Sequence, residues 1–217
     1  MGQMTGVIVP VTLFQQNCAI LFDAESKHGV VVDPGGDVPD ILIAIQRAGV
    51  MITAIWLTHG HLDHAGGAMA LKAALLEAKT PVDIIGPHKD DAPLLANIEN
   101  SAARFGASGM FNCTPDRYLA EGEQVAFGSH VFDVLHCPGH APGHVVYVNK
   151  AAGFAHVGDV LFNGSIGRTD LPGGNHAQLI ASIKNKLLPL GDEVSFICGH
   201  GPGSTIGNER KNNPYLR

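Results

Sequence analysis

Long hydrophobic runs, paired cysteines and basic charge are what this 217-residue chain has little of. No apolar run reaches the roughly 18–20 residues that a membrane span needs, so no membrane partner is expected. Val7–Phe14 is apolar, but no basic residue precedes it, as a secretory leader would require. Gly2 is followed at position 6 by Gly6 where an N-myristoyl signal wants a hydroxyl. The four cysteines, Cys18, Cys113, Cys137 and Cys198, include no C-x-x-C pair. They read as scattered reduced thiols of a cytoplasmic protein, not as a disulfide framework. With 14 Lys+Arg against 20 Asp+Glu the formal charge is -6, and nucleic acid is excluded as the main partner because phosphate binding needs a basic surplus on one face. Charged residues are only 16% of the chain, whereas apolar residues are 45%. That balance, at this length, supports one folded unit over residues 1–217 with a sizeable core.

What is present is patterned. Residues 6–12, 18–22 and 29–32 are short β-branched runs separated by turns, the last ending at Asp33-Pro34-Gly35-Gly36. Residues 38–48 space Ile41, Leu42, Ile45 and Ala48 as on one face of a helix. A buried strand is expected over 52–57, a helix over 68–78, a strand over 82–85 and a helix over 92–104. Further strands are expected over 124–127, 131–135, 145–148, 154–157 and 194–197, with a helix over 177–188. Strand clusters alternating with helices indicate a layered α+β protein.

Twelve histidines carry most of the chemical information. His59, His61 and His64 fall within six residues together with Asp63. His59 and His61, two apart, project to one side of an extended segment; Asp63 and His64 diverge where such a loop turns into a helix. One short loop can therefore offer ligands to two metal ions. His140, Asp159 and His200 each follow a strand-like run and sit beside a glycine, which is how a rigid sheet presents polar groups on its edge loops. Imidazole and carboxylate donors suit Zn(II), and also Fe(II) or Mn(II). Isolated histidines are usually surface or core residues, and His28, His88, His130, His136, His156 and His176 are read so; His144 is open between packing and support of the ligands.

With these residues in view, the chain resembles the metallo-β-lactamase-fold superfamily, and within it the short glyoxalase II-like hydrolases. The likeness runs through Asp33–Gly36, Thr58–His64, Pro138–His144, Gly158-Asp159, Gly164–Asp170 and Gly199–Pro214. It implies an αββα sandwich with two divalent ions, Zn(II) first among them, at one edge of the sheets. By matching positions it gives His59, His61 and His140 to one ion, Asp63, His64 and His200 to the other, and Asp159 to both. It makes Asp33 a carboxylate that steadies the histidine loop from behind. Asp63 and Asp159 become catalytic as ligands, not as free bases. Two ions about 3.5–4 Å apart would lower the pKa of a shared water to give a bridging hydroxide, which attacks a thioester carbonyl. The substrate implied is a small thioester such as S-D-lactoylglutathione, with Arg168 and Arg210 the basic residues placed to meet its carboxylates. The C-terminal helical domain of longer glyoxalase II enzymes has no counterpart, since 17 residues follow His200. The alternatives are a mononuclear-iron persulfide dioxygenase of the same fold and a metal-binding protein without catalysis.

Overall fold

The β-branched runs of the first third pair into one mixed sheet, in the order β1 (Met4–Val11), β2 (Gln16–Asp23), β3 (His28–Val32), β4 (Met51–Trp56) and β5 (Asp83–Ile85). The computed structural model describes residues 2–217. β1, β2 and β3 are antiparallel neighbours, whereas β3, β4 and β5 run parallel. Parallel neighbours need crossovers. These are α1 (Val38–Ala48) between β3 and β4, and α2 (Leu62–Ala65) with α3 (Ala68–Glu77) between β4 and β5.

The expected 92–104 helix is two: α4 (Ala92–Leu95) and α5 (Ile98–Phe105). Asn97, a weak helix former suited to caps, stands at the N-cap of the second and starts it separately.

The second sheet contains β6 (Gln124–Phe127), β7 (His130–His136), β8 (Val145–Asn149), β9 (Phe154–His156), β12 (Ser195–Ile197) and β13 (Ser204–Thr205). Its spatial order is β13-β12-β9-β8-β7-β6. A separate two-stranded ribbon is made by β10 (Leu161–Phe162) and β11 (Ser165–Ile166). The expected 177–188 helix begins as α6 (His176–Ser182) and widens into a π-helical turn over Ile183–Leu187 ahead of Pro189. After β13 comes α7 (Ile206–Asn212). Among the described residues no helix is long and apolar enough to cross a membrane.

Alternation along the strands sorts side chains between layers. From β2, Cys18, Ile20 and Phe22 pack outward with Ile41, Leu71 and Leu75 of the helices, whereas Ala19 and Leu21 face the other sheet. β8 does the same in mirror image: Val146 and Val148 join Leu179 and Ile183 of the α6 layer, while Val145 and Tyr147 point between the sheets. The result is the αββα sandwich. Its middle is aromatic, with Trp56 packed on Tyr147, Phe132 and Phe127 at ring separations of 5.0, 5.3 and 5.8 Å. Offset and edge contacts of this kind add to the burial of so much apolar area. The Tyr147 hydroxyl donates to the Leu57 carbonyl at 2.7 Å, tying this core to the loop that follows β4.

Candidate metal centre

Three strands end at one edge of the sandwich and release their loops there. β4 runs into Leu57–His61 and then α2; β9 runs into Gly158-Asp159; β12 runs into Cys198–His200. The β7–β8 connection, carrying His140 and His144, arrives at the same edge. His61 occupies the N-cap of α2 on extended backbone, so Asp63 and His64 leave the first helical turn while His59 and His61 precede it. That change of backbone is what splits one six-residue motif between two ligand groups.

Ligand atoms of His59, His61 and His140 lie within 4.8 Å of one another, and so do those of Asp63, His64 and His200. Asp159 stands between the two triads. Its Oδ1 is 3.4 Å from His64 Nε2, and its Oδ2 is 3.5 Å from His140 Nε2 and 3.6 Å from His200 Nε2. Asp63 Oδ2 is 3.2 Å from His200 Nε2. Ligands about 2.1 Å from a shared tetrahedral ion lie about 3.4 Å apart, so these separations are those of donors aimed at common points.

The far sides of the rings are fixed by partners drawn from distant loops. Asp33 is fully buried; its Oδ2 meets His64 Nδ1 at 2.9 Å and accepts from the Thr58 hydroxyl at 2.6 Å, and its Oδ1 accepts from Thr58 N at 2.7 Å. With its own proton given to Asp33, Thr58 Oγ1 accepts from His59 Nδ1 at 3.0 Å. His140 Nδ1 donates to the Arg168 carbonyl at 2.8 Å, and His200 Nδ1 to the Phe14 carbonyl at 3.2 Å. Each of these four rings thus keeps Nε2 for the centre, while His61 turns Nδ1 to within 3.0 Å of His59 Nε2. His64 Nε2, His140 Nε2 and Asp159 Oδ1 are buried without any hydrogen-bond partner. Buried polar atoms are rarely left so, and their convergence on the same two points fits a pair of cations.

Electrostatics separates the triads. Burial, reinforced by neighbouring imidazoles, pushes His59 well below the ordinary histidine range and His61 down to about 3. Burial also lowers His140, against the pull of Asp159. Burial opposes charge on His64 too, but Asp159 and Asp63 outweigh it and hold the imidazolium form well above its usual range; His200 is raised by its bond to Asp63 and by Asp159 in the same way. Despite burial, both carboxylates are held below their ordinary range, Asp63 by His64 and His200, Asp159 by His64, His140 and His200.

Ligand imidazoles must be neutral, so the first triad is ready at neutral pH, whereas the second must shed protons. Filling the Asp63–His64–His200 triad is therefore expected to release protons near pH 7 and to strengthen as pH rises. Filling the His59–His61–His140 triad is expected to be nearly independent of pH between 6 and 8. Calorimetric zinc titrations in buffers of different ionisation enthalpy measure this, and two binding steps with no proton release would contradict it.

His144, open in the sequence, is fully buried, stacks on His59 at 4.6 Å and accepts from Asp159 N at 3.0 Å. It supports Asp159 from behind. Gln16, which no sequence pattern marks, is buried with Nε2 3.5 Å from His64 Nδ1. Arg168 is exposed beside the centre and forks onto Asp170 at 2.8 and 2.7 Å. Arg210 lies on α7, where its guanidinium binds Asp192 at 2.8 Å and the Leu188 carbonyl. Of the other histidines, His88 and His136 stack at 4.2 Å beside Asp90, and His130 faces Asp23 at 3.5 Å.

Known proteins resemble this chain in sequence and fold. The chain is 42% identical over 210 residues, 96% of each protein, to the hydroxyacylglutathione hydrolase GloC of Haemophilus influenzae. A structure of TTHA1623 in a di-iron-bound form superimposes with a TM-score of 0.86 at 37% identity, over 97% of this chain and 100% of that one. The B3 metallo-β-lactamase BLEG-1 gives 0.87 at 36% identity, over 98% and 99%. The Metallo-beta-lactamase superfamily profile matches residues 11–200. A sandwich with a dinuclear His/Asp site at its edge and that match make the chain a metal-dependent hydrolase belonging to the metallo-β-lactamase superfamily.

Proposed function

We propose that the chain is a thioesterase that hydrolyses a hydroxyacyl thioester of glutathione, S-D-lactoylglutathione or a close relative, to a hydroxy acid and a thiol. The observation that carries hydrolysis is Asp159, set between two histidine-rich triads with one oxygen toward His64 and the other toward His140 and His200. The thioester is supported by the similarity to the Haemophilus hydrolase over nearly the full length of both chains.

In this reading His59, His61 and His140 hold one ion, Asp63, His64 and His200 hold the second, and Asp159 serves both. Zinc is the ion we assign, with iron or manganese as the other arms of the test. Such a pair, when bound, supplies Lewis acidity to a carbonyl oxygen and makes water acidic enough to act as a nucleophile near neutral pH.

The residues of the chain do the rest by position. Asp33, through His64, and Thr58, through His59, keep two rings from turning; the Arg168 and Phe14 carbonyls do so for His140 and His200. A preorganised polar site of this kind stabilises developing oxyanion charge without reorganising at the moment of reaction. Asp63 and Asp159, held ionised by their histidine neighbours, are poor proton donors and act as ligands. A thiolate leaving group requires no strong acid, which agrees with that set. Arg168, exposed beside His140, is the basic group we assign to a substrate carboxylate.

The test is turnover of S-D-lactoylglutathione by protein loaded separately with zinc, iron or manganese. The expected result is release of free thiol with at least one metal. Two bound metals and no thiol release with any of them would overturn the substrate. Oxygen uptake with glutathione persulfide, or cleavage of a β-lactam, in the same preparations would then identify the activity.

A further inference from the structure

The His59–His61–His140 triad has a structural difficulty: its members belong to different sheets. His59 and His61 follow β4 of the first sheet, and His140 lies between β7 and β8 of the second. Sheets packed face to face slide and twist more easily than paired strands, so something must set the distance between these two loops. Two direct bonds cross at the base, Val145 N to the Thr58 carbonyl at 2.8 Å and the Tyr147 hydroxyl to the Leu57 carbonyl at 2.7 Å. Nearer the ligands the crossing is made by a third segment, the turn over His88–Asp91.

Asp91 is fully buried. Its Oδ2 accepts from Gly60 N at 2.7 Å, between His59 and His61, and its Oδ1 accepts from Gly143 N at 2.5 Å, beside His144. His88 N donates to the Gly143 carbonyl at 3.0 Å, so the turn grips that residue from both sides. Among the described residues Asp91 enters no ion pair. A buried carboxylate without a counter-charge is costly to keep: burial pushes it up to about 6, against the two amide bonds. An asparagine could satisfy one of the two amides but would turn an N–H toward the other.

We infer that Asp91 is a positioning residue of the metal centre: its carboxylate clasps the Gly60 and Gly143 amides and thereby fixes the spacing of His59 and His61 from His140. The inference rests on the two-metal reading of the site and is independent of the substrate. Gly143 supports it sterically. A Cβ there would stand 2.5 Å from Asp91 N and 2.6 Å from the His88 carbonyl, so only glycine lets the turn close onto the loop.

The experiment is cobalt(II) titration of the purified metal-free protein, followed by its visible absorption and by competition with a chromogenic chelator. In Asp91→Asn, affinity at the His59–His61–His140 triad is expected to fall about ten- to a hundredfold, the usual cost of losing support behind a ligand. The Asp63–His64–His200 triad should keep its affinity, and the spectrum of the first site should change. Gly143→Ala, which leaves the carboxylate in place and forces the clasp open, is expected to give the same selective loss. It decides the matter if Asp91→Asn does not fold. Asp40→Asn, exposed on α1 and outside the His88–Asp91 turn, should match wild type. Two cobalt sites of wild-type affinity and spectrum in Asp91→Asn, or in Gly143→Ala should that alone fold, would overturn the clasp. A wild-type protein that takes up no cobalt would overturn the two-metal reading itself.

Discussion

Asp159→Ala is expected to abolish the two-metal state and to lower hydrolysis by about a thousandfold. Three rings, His64, His140 and His200, meet this one carboxylate from both triads at 3.4–3.6 Å, and among the described residues no other carboxylate pairs with histidines of both triads. Burial opposes its charge, yet those same rings hold it ionised. Alanine would leave His64 and His140 facing each other across a buried gap with no anion between them. Each triad would keep three donors, enough for one ion to bind weakly, but two cations could not approach each other without a shared negative ligand. Loss of one ion's stabilisation of the developing oxyanion is worth several kcal/mol, and about 4 kcal/mol is a factor of about a thousand. Metal content by elemental analysis and kcat on the thioester measure both halves. Two metals per chain with kcat within tenfold of wild type would remove Asp159 from its bridging role.

How far the centre could be read from sequence follows from where its parts lie. His59, His61, Asp63 and His64 were legible because four donors crowd six residues, a density that packing alone gives no reason for. His140, Asp159 and His200 were legible because each follows a strand beside a glycine. The division into two triads came from the family resemblance, since a strand period cannot tell that α2 begins at Leu62 and turns Asp63 and His64 away from His59. What orients the rings was not legible. The carbonyls that hold His140 and His200 belong to residues 28 and 186 positions away, and any residue type supplies a carbonyl. Asp91 was hidden for another reason: following Lys89 and Asp90 in a polar turn it reads as a solvated charge, and only the tertiary fold buries it.

The layers show the same contrast. Apart from α7, strands and helices of five residues or more lie close to where alternation and helical spacing put them. The two-residue strands β10, β11 and β13 carry too few residues to show any period. α7 was missed because Gly207, Asn208 and Asn212 disfavour helix. It is held by its surroundings: buried Glu209 accepts from Ser204 Oγ at 2.5 Å, Gly164 N at 2.8 Å and Asn213 Nδ2 at 2.8 Å. Local propensity yields there to a polar cluster built from three separate segments.

That dependence on distant partners makes metal removal the other large effect. The centre gathers ionised Asp63 and Asp159 with at least five imidazoles, and His64 Nε2, His140 Nε2 and Asp159 Oδ1 have no hydrogen-bond partner among the described residues. Unpartnered buried groups cost stability, and ligands that bind only the folded chain return it by mass action. A metal at a thousand times its Kd contributes about 4 kcal/mol, and at this chain length each kcal/mol moves Tm by about 2–4 °C. Stripping both ions is therefore expected to lower Tm by about 15 °C or more. Acid should further destabilise the metal-free protein. Asp63 and Asp159 have folded pKa values below their unfolded ones, so their contribution is present above about pH 4 and lost as pH falls through the folded values. Lowered His59, His61 and His140 act in the same direction from about pH 6.5 downward, because the unfolded chain takes up the protons first. His64 and His200, raised, act in the opposite direction: their contribution is full below pH 6.5 and fades as pH rises through their folded values. Metal-free protein should thus be least stable in acid, and the gap between metal-loaded and metal-free Tm should close below about pH 5 as protons displace the ions. Thermal unfolding of both forms from pH 4.5 to 8 measures the gap. Equal Tm values at pH 7.5 would mean that the histidine loops are held without metal and that the buried unpartnered nitrogens are tolerated by the fold itself.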